Sequence, residues 1–421
     1  MRALYSLNIA LFGLAIRIAS LFNPKAKLWI RGRKDLFTEL ENKLQKGSGP
    51  VAWFHCASLG EFEQGRPLME HFRNQHPGYR ILLTFFSPSG YEVRKNYSGA
   101  DIVSYLPLDT PSRAKRFVQL VHPKIVFFVK YEFWLNHLGE LSEKKIPHFL
   151  VSAIFRDDQR FFKPWGGMFR KALQQYDFIF TQEKHSLELL QSIGITQAEI
   201  AGDTRFDRVA EIAAGAKDIP VAAAFAGENK RVIIAGSSWP EDEVHLFPAL
   251  KTHLQNGWKL LIAPHELGEG HLSAIEKGLS ENGVTLERIV RFSKADEATV
   301  AAATVLIIDN IGMLSSLYRY GKLAYIGGGF GKSIHNTLEA AVYGIPVVFG
   351  PRFEKFNEAK GLIACGGGFG IFSGNELAEK MNELLTNEIF LQEAGKKAGA
   401  FVSENTGATP KILGRTNLLL S

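Results

Sequence analysis

The chain has 421 residues, 46% hydrophobic and 22% charged, a composition that excludes a disordered protein and predicts two domains. Its two cysteines, Cys56 and Cys365, provide no disulfide framework and, with the 12 histidines, no zinc-ligand spacing. The net charge of +6 comes without a basic helix or an aromatic-basic module, so it favours an anionic membrane surface or an anionic substrate over nucleic acid.

The first segment, from Ala3 to Phe22, is almost continuously apolar and about long enough to span a bilayer. Its polar and small residues recur at helical spacing on one narrow stripe: Arg2, Ser6, Gly13, Arg17 and Ser20. Large apolar residues cover the rest: Leu4, Leu7, Leu11, Phe12, Leu14, Ile18 and Leu21. Five cations follow without an acid: Lys25, Lys27, Arg31, Arg33 and Lys34. The pattern predicts a membrane anchor helix with a basic juxtamembrane segment at 1–34, either spanning or interfacial. A buried helix of a soluble core is the alternative.

After the anchor, β-rich runs alternate with amphipathic stretches, which predicts parallel α/β sheets. The predicted strands of the first half are Val51–His55, Ile81–Phe86, Ile125–Val129, Phe149–Ser152 and Phe178–Thr181. Those of the second half are Val232–Ala235, Lys259–Ala263, Val305–Ile308, Leu323–Ile326 and Val347–Phe349. The predicted helices include Glu61–Gln75, Pro111–Val121, Lys184–Ile193, Asp242–Leu254, His335–Val342 and Asn375–Leu385.

The two series of strands predict two doubly wound, Rossmann-like domains that face each other across a ligand cleft. An Ala-rich, weakly patterned stretch with Pro220 and Gly227 predicts the junction. The predicted boundaries are 35–207 for the N-terminal domain, 208–230 for an interdomain linker and 231–400 for the C-terminal domain. A C-terminal helix at 401–421 can return to the N-terminal domain.

In the first half, polar residues follow predicted strands at three places. Glu61 begins a helix after the first strand, where a carboxylate can act as a general base. Glu132 lies at the end of a buried strand beside Trp134, with Asn136 close by. Arg205 lies on a polar turn, where a guanidinium can pair with a phosphate leaving group. Taken singly, each is explained at least as well by helix capping, a turn or a surface ion pair.

In the second half, Ser237 and Ser238 follow a strand and a glycine, where hydroxyls can hold phosphate or cap a helix. The segment from Tyr325 to Phe349 reads as strand, glycine-rich turn, helix and strand. Backbone at the glycines can approach a ligand closely, the helix start can face an anion, and Glu339 can bind ribose hydroxyls. An ordinary packed strand-turn-helix is the alternative.

Taken together and in this order, the motifs resemble those of the Kdo transferases, which are 3-deoxy-D-manno-octulosonic acid transferases of lipopolysaccharide biosynthesis. The most specific matches are Ala57–Glu61, Tyr131–Asn136, His335–Glu339 and the tail Gly344–Pro351. The resemblance implies a GT-B fold and an inverting, metal-independent glycosyltransferase without a cofactor. It implies transfer of Kdo from CMP-Kdo to a hydroxyl of a lipid A precursor (lipid IVA) at the cytoplasmic face of the inner membrane. The N-terminal domain would then bind the acceptor and the C-terminal domain CMP-Kdo.

The resemblance also assigns roles to residues. Glu61 matches the proton acceptor, and Glu132 and Arg205 match positions that stabilise the transition state, although lysine is more usual at the latter. The residues implied in CMP binding are Pro264, His265, Ile311, Gly312, Met313, Asn336, Thr337, Leu338 and Glu339. The chain departs from the family pattern at four positions. Lys130, His265, Met313 and Thr337 replace, in this order, a customary carboxylate, arginine, glutamate and proline.

Other interpretations remain open at the level of sequence. A GT-B transferase could use a UDP-hexosamine donor on another lipid acceptor, and a nucleotide-binding membrane scaffold would have no activity at all. A nucleotide-sugar epimerase shares the fold but needs no lipid acceptor. The segments Arg160–Trp165 and Met168–Lys171 mix aromatic residues with cations, so they predict either lipid contacts or an ordinary solvated loop and helix.

Overall fold

The computed structural model describes residues 2–420; Met1 and Ser421, the outermost residues of the predicted segments 1–34 and 401–421, lie outside the described residues. The chain divides into two compact units. The first unit comprises the described residues up to Asp207 and those from Gly407 onward, and the second unit comprises Arg208–Thr406. Residues 208–230, predicted as a linker, contain helical structure of the second unit.

Each unit contains one parallel sheet. The strands of the first unit are β1 (Val51–Cys56), β2 (Arg80–Phe85), β3 (Ile102–Tyr105), β4 (Pro123–Val129), β5 (His148–Ala153), β6 (Phe178–Thr181) and β7 (Ala198–Ile200). Within the described residues they form a seven-stranded sheet in the order β3-β2-β1-β4-β5-β6-β7. In register, Val51 pairs with Arg80 on one side of β1, and His55 pairs with Phe128 on the other.

The strands of the second unit are β8 (Val232–Ser238), β9 (Lys259–Pro264), β10 (Ile289–Arg291), β11 (Val305–Ile307), β12 (Leu323–Ile326), β13 (Val347–Phe349) and β14 (Gly368–Gly370). In the described part of the chain they form a second seven-stranded sheet in the order β10-β11-β9-β8-β12-β13-β14. Ala235 of β8 pairs with Tyr325 of β12 on one side and with Ile262 of β9 on the other.

Helices connect these strands. In chain order they are α1 (Arg2–Ala19), α2 (Pro24–Arg31), α3 (Leu36–Gln45), α4 (Leu59–Gln75), α5 (Pro88–Arg94), α6 (Pro111–Val121), α7 (Leu135–Glu143), α8 (Gly167–Leu173), α9 (Lys184–Ser192), α10 (Thr204–Ala214), α11 (Pro220–Ala226), α12 (Pro240–Gln255), α13 (Glu269–Glu281), α14 (Glu297–Ala301), α15 (Leu314–Leu317), α16 (Leu338–Ala341), α17 (Asn357–Cys365), α18 (Gly374–Thr386), α19 (Glu388–Glu404) and α20 (Ala408–Asn417). Helix α20 lies in the first unit.

The predicted strands and most predicted helices are confirmed to within a few residues. The exception is the helix predicted at His335–Val342, because only α16 is helical there. The backbone N–H of His335 instead donates to the carbonyl of Gly327 at 3.1 Å, which keeps this residue in the glycine-rich loop. Four strands, β3, β7, β10 and β14, were not predicted; each has only three or four residues.

In each sheet the direction in which the chain adds strands reverses at one point. In the first unit the chain winds from β1 to one side through β2 and β3, and to the other side from β4 onward. In the second unit the corresponding neighbours are β8 and β12. In open parallel sheets ligands bind beyond the carboxyl ends of the strands at such a switch point. The residues that follow β1, β4, β8 and β12 are therefore the first candidates for a functional site.

One face of helix α1, which includes Ser6 and Gly13 of the polar and small stripe, packs against the rest of the first unit. Tyr5 donates to Asp109 at 2.7 Å, and Asn136 donates to Ser6 at 3.3 Å. A Cβ at Gly13 would lie 2.7 Å from the side chain of Leu108. The large apolar side chains on the other face are exposed: Leu4, Leu7, Leu11, Phe12, Leu14 and Ile18. Helix α1 is thus the reverse of an ordinary surface helix, which buries its apolar face.

Across residues 2–420, the described helices do not combine the length and apolar character needed to cross a bilayer. The predicted anchor at 1–34 is therefore unsupported as a spanning segment. The alternative of a buried core helix is also wrong, because the apolar face of α1 is exposed.

Candidate functional site

Glu61 lies in the first turn of α4, directly after β1. Its carboxylate is half-buried and accepts a hydrogen bond from the hydroxyl of Ser58, the residue that precedes the helix. Gly65 allows α4 to approach the sheet, because a Cβ there would lie 2.9 Å from Val129 and 3.0 Å from the sulfur of Cys56. A carboxylate in the first turn of a helix interacts favourably with the positive end of the helix dipole.

Glu132 follows β4 and is buried, with a relative exposure of 3%. One of its carboxylate oxygens lies 3.0 Å from Nε2 of His55 and also accepts from the indole N–H of Trp134. The phenol of Tyr176 donates to the backbone carbonyl of Glu132. Before it, Lys130 adopts a left-handed backbone with φ +74°, which turns the chain at the end of the strand. Buried donors therefore hold this carboxylate in one orientation.

One of the donors to Glu132, His55, is itself oriented by Thr84 of β2. The indole N–H of Trp53 donates to the Thr84 hydroxyl oxygen at 2.7 Å, and Nδ1 of His55 lies 2.8 Å from the same oxygen. The carbonyl of Phe54 is farther, at 3.4 Å. We therefore infer that the Thr84 hydroxyl donates its hydrogen bond to Nδ1 of His55. The proton of the His55 ring then lies on Nε2, which donates to Glu132. A buried chain of three residues thus ends on the predicted transition-state carboxylate.

The buried thiol of Cys56 interacts electrostatically with both carboxylates. Burial raises the pKa of this thiol well above its ordinary value, and the negative charges of Glu61 and Glu132 raise it further. The thiol therefore stays protonated, and it is not a nucleophile. The neighbouring strands β1 and β4 thus bring residues 71 positions apart in the sequence to one edge of the sheet.

Arg205 lies in the first turn of α10, and its guanidinium pairs with Asp203 through Nε at 2.9 Å and Nη2 at 2.7 Å. The neighbouring Thr204 donates to the carbonyl of Gln64, which ties α10 to α4. Asn136, in contrast, is buried and donates to the carbonyl of Asp109 at 2.6 Å. The structure therefore gives Asn136 a scaffolding role under α1.

In the second unit the glycine-rich turn packs against backbone. A Cβ at Gly327 would lie 2.2 Å from the carbonyl of Ser237, and one at Gly329 would lie 2.6 Å from Gly350. The buried carboxylate of Asp242 accepts from the N–H of Gly328 at 2.7 Å and from that of Phe330 at 3.3 Å. These amides were expected to approach a ligand; instead a carboxylate from α12 binds them.

The segment after β8 supplies Ser237, Ser238 and Trp239. Ser237 has a left-handed backbone with φ +54°, and Ser238 is buried and donates to Glu243 at 2.8 Å. The hydroxyl of Ser238 is thus used within the fold. Ser237 is only half-buried, and among the two serines it is the one with access to a phosphate.

Three rings stack beyond β8, β9 and β12. Trp239 lies 4.5 Å from His265, and His265 lies 4.6 Å from His335, measured between ring centres. The indole N–H of Trp239 donates to Nε2 of His335 at 3.0 Å, so the neutral ring carries its proton on Nδ1. Burial lowers the pKa of His335, and the neighbouring His265 lowers it further. His265 itself is exposed.

The remaining predicted nucleotide contacts lie at or after the ends of β9, β11 and β12. Asn336 caps α16 by accepting from the N–H of Leu338 at 3.1 Å and donates to Glu339 at 3.0 Å. Leu338 and Thr337 are buried, so their side chains face the interior. Pro264 ends β9. The segment after β11 places Ile311, Gly312 and Met313 at the same edge of the sheet, with Ile311 exposed.

Sequence reasoning missed His55, Thr84 and Trp53 in the first unit and Asp242 in the second. His55 had a signal, because it is a polar residue in an otherwise apolar strand that leads to Glu61. Thr84 and Asp242 had no local signal, since their partners lie 29 and 86 positions away.

Comparisons with known proteins identify the family. Residues 31–208 match the family model of 3-deoxy-D-manno-octulosonic-acid transferase (kdotransferase), a range that contains Glu61, Glu132 and Arg205. The chain is 30% identical over 353 residues to a 3-deoxy-D-manno-octulosonic acid transferase of Aquifex aeolicus, covering 82% of this chain and 89% of the relative. It is 27% identical to one of Chlamydophila psittaci, covering 76% and 74%.

Among solved structures, the fold is similar to the UDP-GlcNAc 2-epimerase from Neisseria meningitidis, with a TM-score of 0.60, 16% identity and coverage of 88% of this chain and all of that one. At this identity the likeness concerns the fold alone, which is α/β and GT-B-like. The order of motifs, the two carboxylates after β1 and β4, and the extent of the sequence match lead to one conclusion: the chain belongs to the Kdo transferase family and is a glycosyltransferase.

Proposed function

We propose that this enzyme transfers Kdo from CMP-Kdo to a hydroxyl of a lipid A precursor (lipid IVA), with inversion and without a metal ion. The observation that carries the proposal is the pair of carboxylates, Glu61 and Glu132, held at the switch point of the first unit in a member of this family.

In this mechanism Glu61 is the proton acceptor. The acceptor oxygen attacks the anomeric carbon of Kdo as the bond from that carbon to the phosphate oxygen of CMP breaks, and the hydroxyl proton passes to Glu61. The half-buried position of Glu61 suits this role, because one oxygen is bound by Ser58 and the side chain retains access to solvent. A single displacement of this kind inverts the anomeric centre.

Glu132 and Arg205 stabilise the transition state in this proposal. Positive charge develops at the sugar as CMP leaves, and a carboxylate that is already oriented by His55 and Trp134 needs no reorganisation to stabilise it. Arg205 stabilises the departing phosphate. Its pairing with Asp203 holds the guanidinium in one orientation, and the phosphate must compete with that carboxylate.

The second unit binds CMP-Kdo in the proposal. Pro264, His265, Ile311–Met313 and Asn336–Glu339 all follow strands that are neighbours in the second sheet, and Ser237 lies beside them. Nδ1–H of His335 is available as a neutral donor, because Trp239 occupies its other nitrogen. Asn336 and Glu339 are hydrogen-bonded to each other, which fixes two polar side chains for the nucleotide.

We also propose that the protein works at the cytoplasmic face of the inner membrane, with residues 1–34 attached in the interface. Leu21 and Phe22, at the end of α1, are 75% and 86% exposed, and they continue its outward apolar face. Cations directly follow, including the exposed Lys25 and Lys27. An exposed apolar face flanked by cations is the pattern of an interfacial helix on anionic lipid.

The test is to incubate the purified protein with CMP-Kdo and a tetra-acylated lipid A precursor and to weigh the product by mass spectrometry. We expect a mass increase of one or more Kdo residues, with activity retained in EDTA. Glu61→Gln should abolish turnover while CMP still raises the melting temperature as in the wild type. Protection by UDP but not by CMP would refute the donor, and unchanged turnover in Glu61→Gln would remove Glu61 from the mechanism.

A further inference from the structure

A cavity of about 620 Å³ lies in the first unit between α1, the end of α2 and the start of α6. Five of its lining residues are cations: Arg17, Arg31, Arg33, Lys34 and Arg113. An adjoining cavity of about 330 Å³ shares three of these cations and adds Arg116. Among the described residues that line the two cavities, none is a carboxylate. This concentration of one sign of charge in a concave space favours an anionic ligand.

The floor of the cavity is built around Arg33. Its guanidinium donates to the backbone carbonyls of Leu106 at 2.9 Å, Phe86 at 2.8 Å and Trp29 at 3.2 Å. The same group lies 3.8 Å from the ring centre of Trp29 and 4.5 Å from that of Tyr105. Burial lowers the pKa of Arg33 to about 9, and Arg113 contributes in the same direction. Arg33 therefore remains charged at neutral pH.

A buried cation that is held by carbonyls and ring faces is costly unless an anion compensates it. The start of α6 adds to the positive potential. Thr110, Ser112 and Arg113 line the cavity, and the first turn of this 11-residue helix contains no acidic residue. The N–H groups of that turn and the positive end of the helix dipole therefore act on the same space as the cations.

The cavity also adjoins apolar surface. Ala10 and Leu14 line it, and Leu11 and Ile18 are exposed on the same helix. A ligand that fills the cavity with an anionic group can thus lay an acyl chain along α1. A charged amphiphile fits this surface better than a free anion does.

From these features we infer that the cavity binds a phosphate monoester carried by an acylated lipid, and this inference rests on the proposed function because such a group then belongs to the acceptor. A monoester offers three terminal oxygens and up to about two negative charges, which matches several cations that line one cavity. A diester has fewer terminal oxygens and one charge.

The position of the cavity suits an acceptor. The ring of Trp29 lies 5.7 Å from that of Phe86, and Phe86 lies 4.7 Å from Trp134, which donates to Glu132. The indoles of Trp29 and Trp134 are therefore within about 10 Å of each other. A phosphate in the cavity can thus position a lipid whose sugar hydroxyl reaches the carboxylates at the edge of the first sheet.

The test compares vesicles of phosphatidylcholine that contain either phosphatidic acid, a monoester, or phosphatidylglycerol, a diester, at matched surface charge. Binding is measured by flotation without CMP-Kdo. We expect the wild type to bind the monoester vesicles about tenfold more tightly or better, as one charge-assisted hydrogen bond predicts. In the double variant Arg17→Gln/Arg113→Gln this ratio should fall to about one.

The matched control is Lys27→Gln/Lys115→Gln, which removes the same charge from α2 and α6 outside the cavity lining. It should weaken binding to both vesicles equally and keep the ratio. A wild-type ratio of about one, or the same loss of ratio in the control, would overturn the inference. Thermal protection by inorganic phosphate equal to that by phosphatidic acid micelles would overturn the assignment to a lipid.

The outcome is separable from that of the proposed function. Glu61→Gln should keep the full preference for the monoester, because the binding assay needs no chemistry. If Kdo transfer fails while the preference depends on Arg17 and Arg113, the proposed reaction is wrong and the lipid phosphate site stands. If transfer succeeds and the preference is absent, only the site is refuted.

Discussion

Replacing His55 tests whether the buried chain from Trp53 to Glu132 positions the carboxylate for catalysis. His55 is fully buried, and its two ring nitrogens lie 2.8 Å from Thr84 and 3.0 Å from Glu132. In His55→Leu both partners lose a hydrogen bond inside the sheet, while Trp134 still donates to Glu132. The variant therefore removes one orienting contact and leaves the reacting groups in place.

The magnitude follows from the two hydrogen bonds that are lost, one between Thr84 and His55 and one from His55 to Glu132. A neutral hydrogen bond contributes about 0.5–1.5 kcal/mol and one to a charged group about 1.5–3 kcal/mol, which together predict a loss of about 2–4.5 kcal/mol in the free energy of unfolding. If the freed carboxylate moves by about 1 Å, kcat should fall by up to about a hundredfold. Because His55 does not contact the nucleotide in the proposed mechanism, KM for CMP-Kdo should change little.

The assay is steady-state Kdo transfer at varied CMP-Kdo, with unfolding followed by circular dichroism in urea. Because the lost donor orients a carboxylate that acts in the transition state, the loss should fall on kcat rather than on KM. His55→Gln, whose amide can still donate to Glu132, should recover part of kcat. Thr84→Val should show a smaller loss of kcat.

His148→Gln is the matched control, because His148 is also buried in the first sheet but bonds to the carbonyl of Ile146 and to Asp177. It should lower stability without lowering kcat. If His55→Leu loses stability but keeps the kcat of the wild type, the chain is structural only and the positioning role is refuted.

Three further predictions concern the second unit. Asp242→Ala leaves the N–H of Gly328 without its carboxylate partner and should lower the free energy of unfolding, measured in urea, by about 2–4 kcal/mol. The variant should also bind CMP more weakly. An unchanged free energy of unfolding and unchanged CMP affinity would contradict the role of this carboxylate. Gly329→Ala places a Cβ 2.6 Å from the backbone of Gly350 and should lower the melting temperature by several degrees or prevent folding, whereas a melting temperature like that of the wild type would be inconsistent with this packing. The pKa of His335 is lowered from 6.5 in the fold, so the unfolded chain binds the proton more readily and stability is lost as pH falls below about 6.5. His335→Gln should therefore lose less melting temperature than the wild type between pH 8 and pH 5, and parallel curves would argue against it.

Much of the fold was available from sequence, because apolar runs such as Val51–His55 and Val347–Phe349 carry their own signal and alternate with amphipathic stretches. The strands that were not predicted from the sequence, such as β7 and β14, are three residues long. Their extended backbone is decided by pairing with a neighbouring strand, which a short run of residues does not encode. The helix predicted from His335 was too long for the same kind of reason, since a hydrogen bond to Gly327 holds that residue in the loop.

For the candidate site, the local motifs were enough to select Glu61, Glu132 and Arg205, because each follows a recognisable strand or opens a helix. Sequence could not show that Asn136 serves the scaffold, or that the glycine-rich amides bind Asp242. The sequence also predicted a polar stripe on α1, but it did not show which face of the helix packs against the first unit.

The amino-acid sequence by itself determined the alternation of strands and helices, the family and the positions of the carboxylates along the chain. Only the tertiary structure decided the partners of those carboxylates, the outward direction of the apolar face of α1 and the convergence of Arg17, Arg33 and Arg113 on one cavity. The physical reason is that periodicity and turn chemistry act between neighbours in the chain, whereas a hydrogen bond such as that from His55 to Glu132 joins residues 77 positions apart. Such contacts exist only after parallel strands have brought their carboxyl ends to one edge.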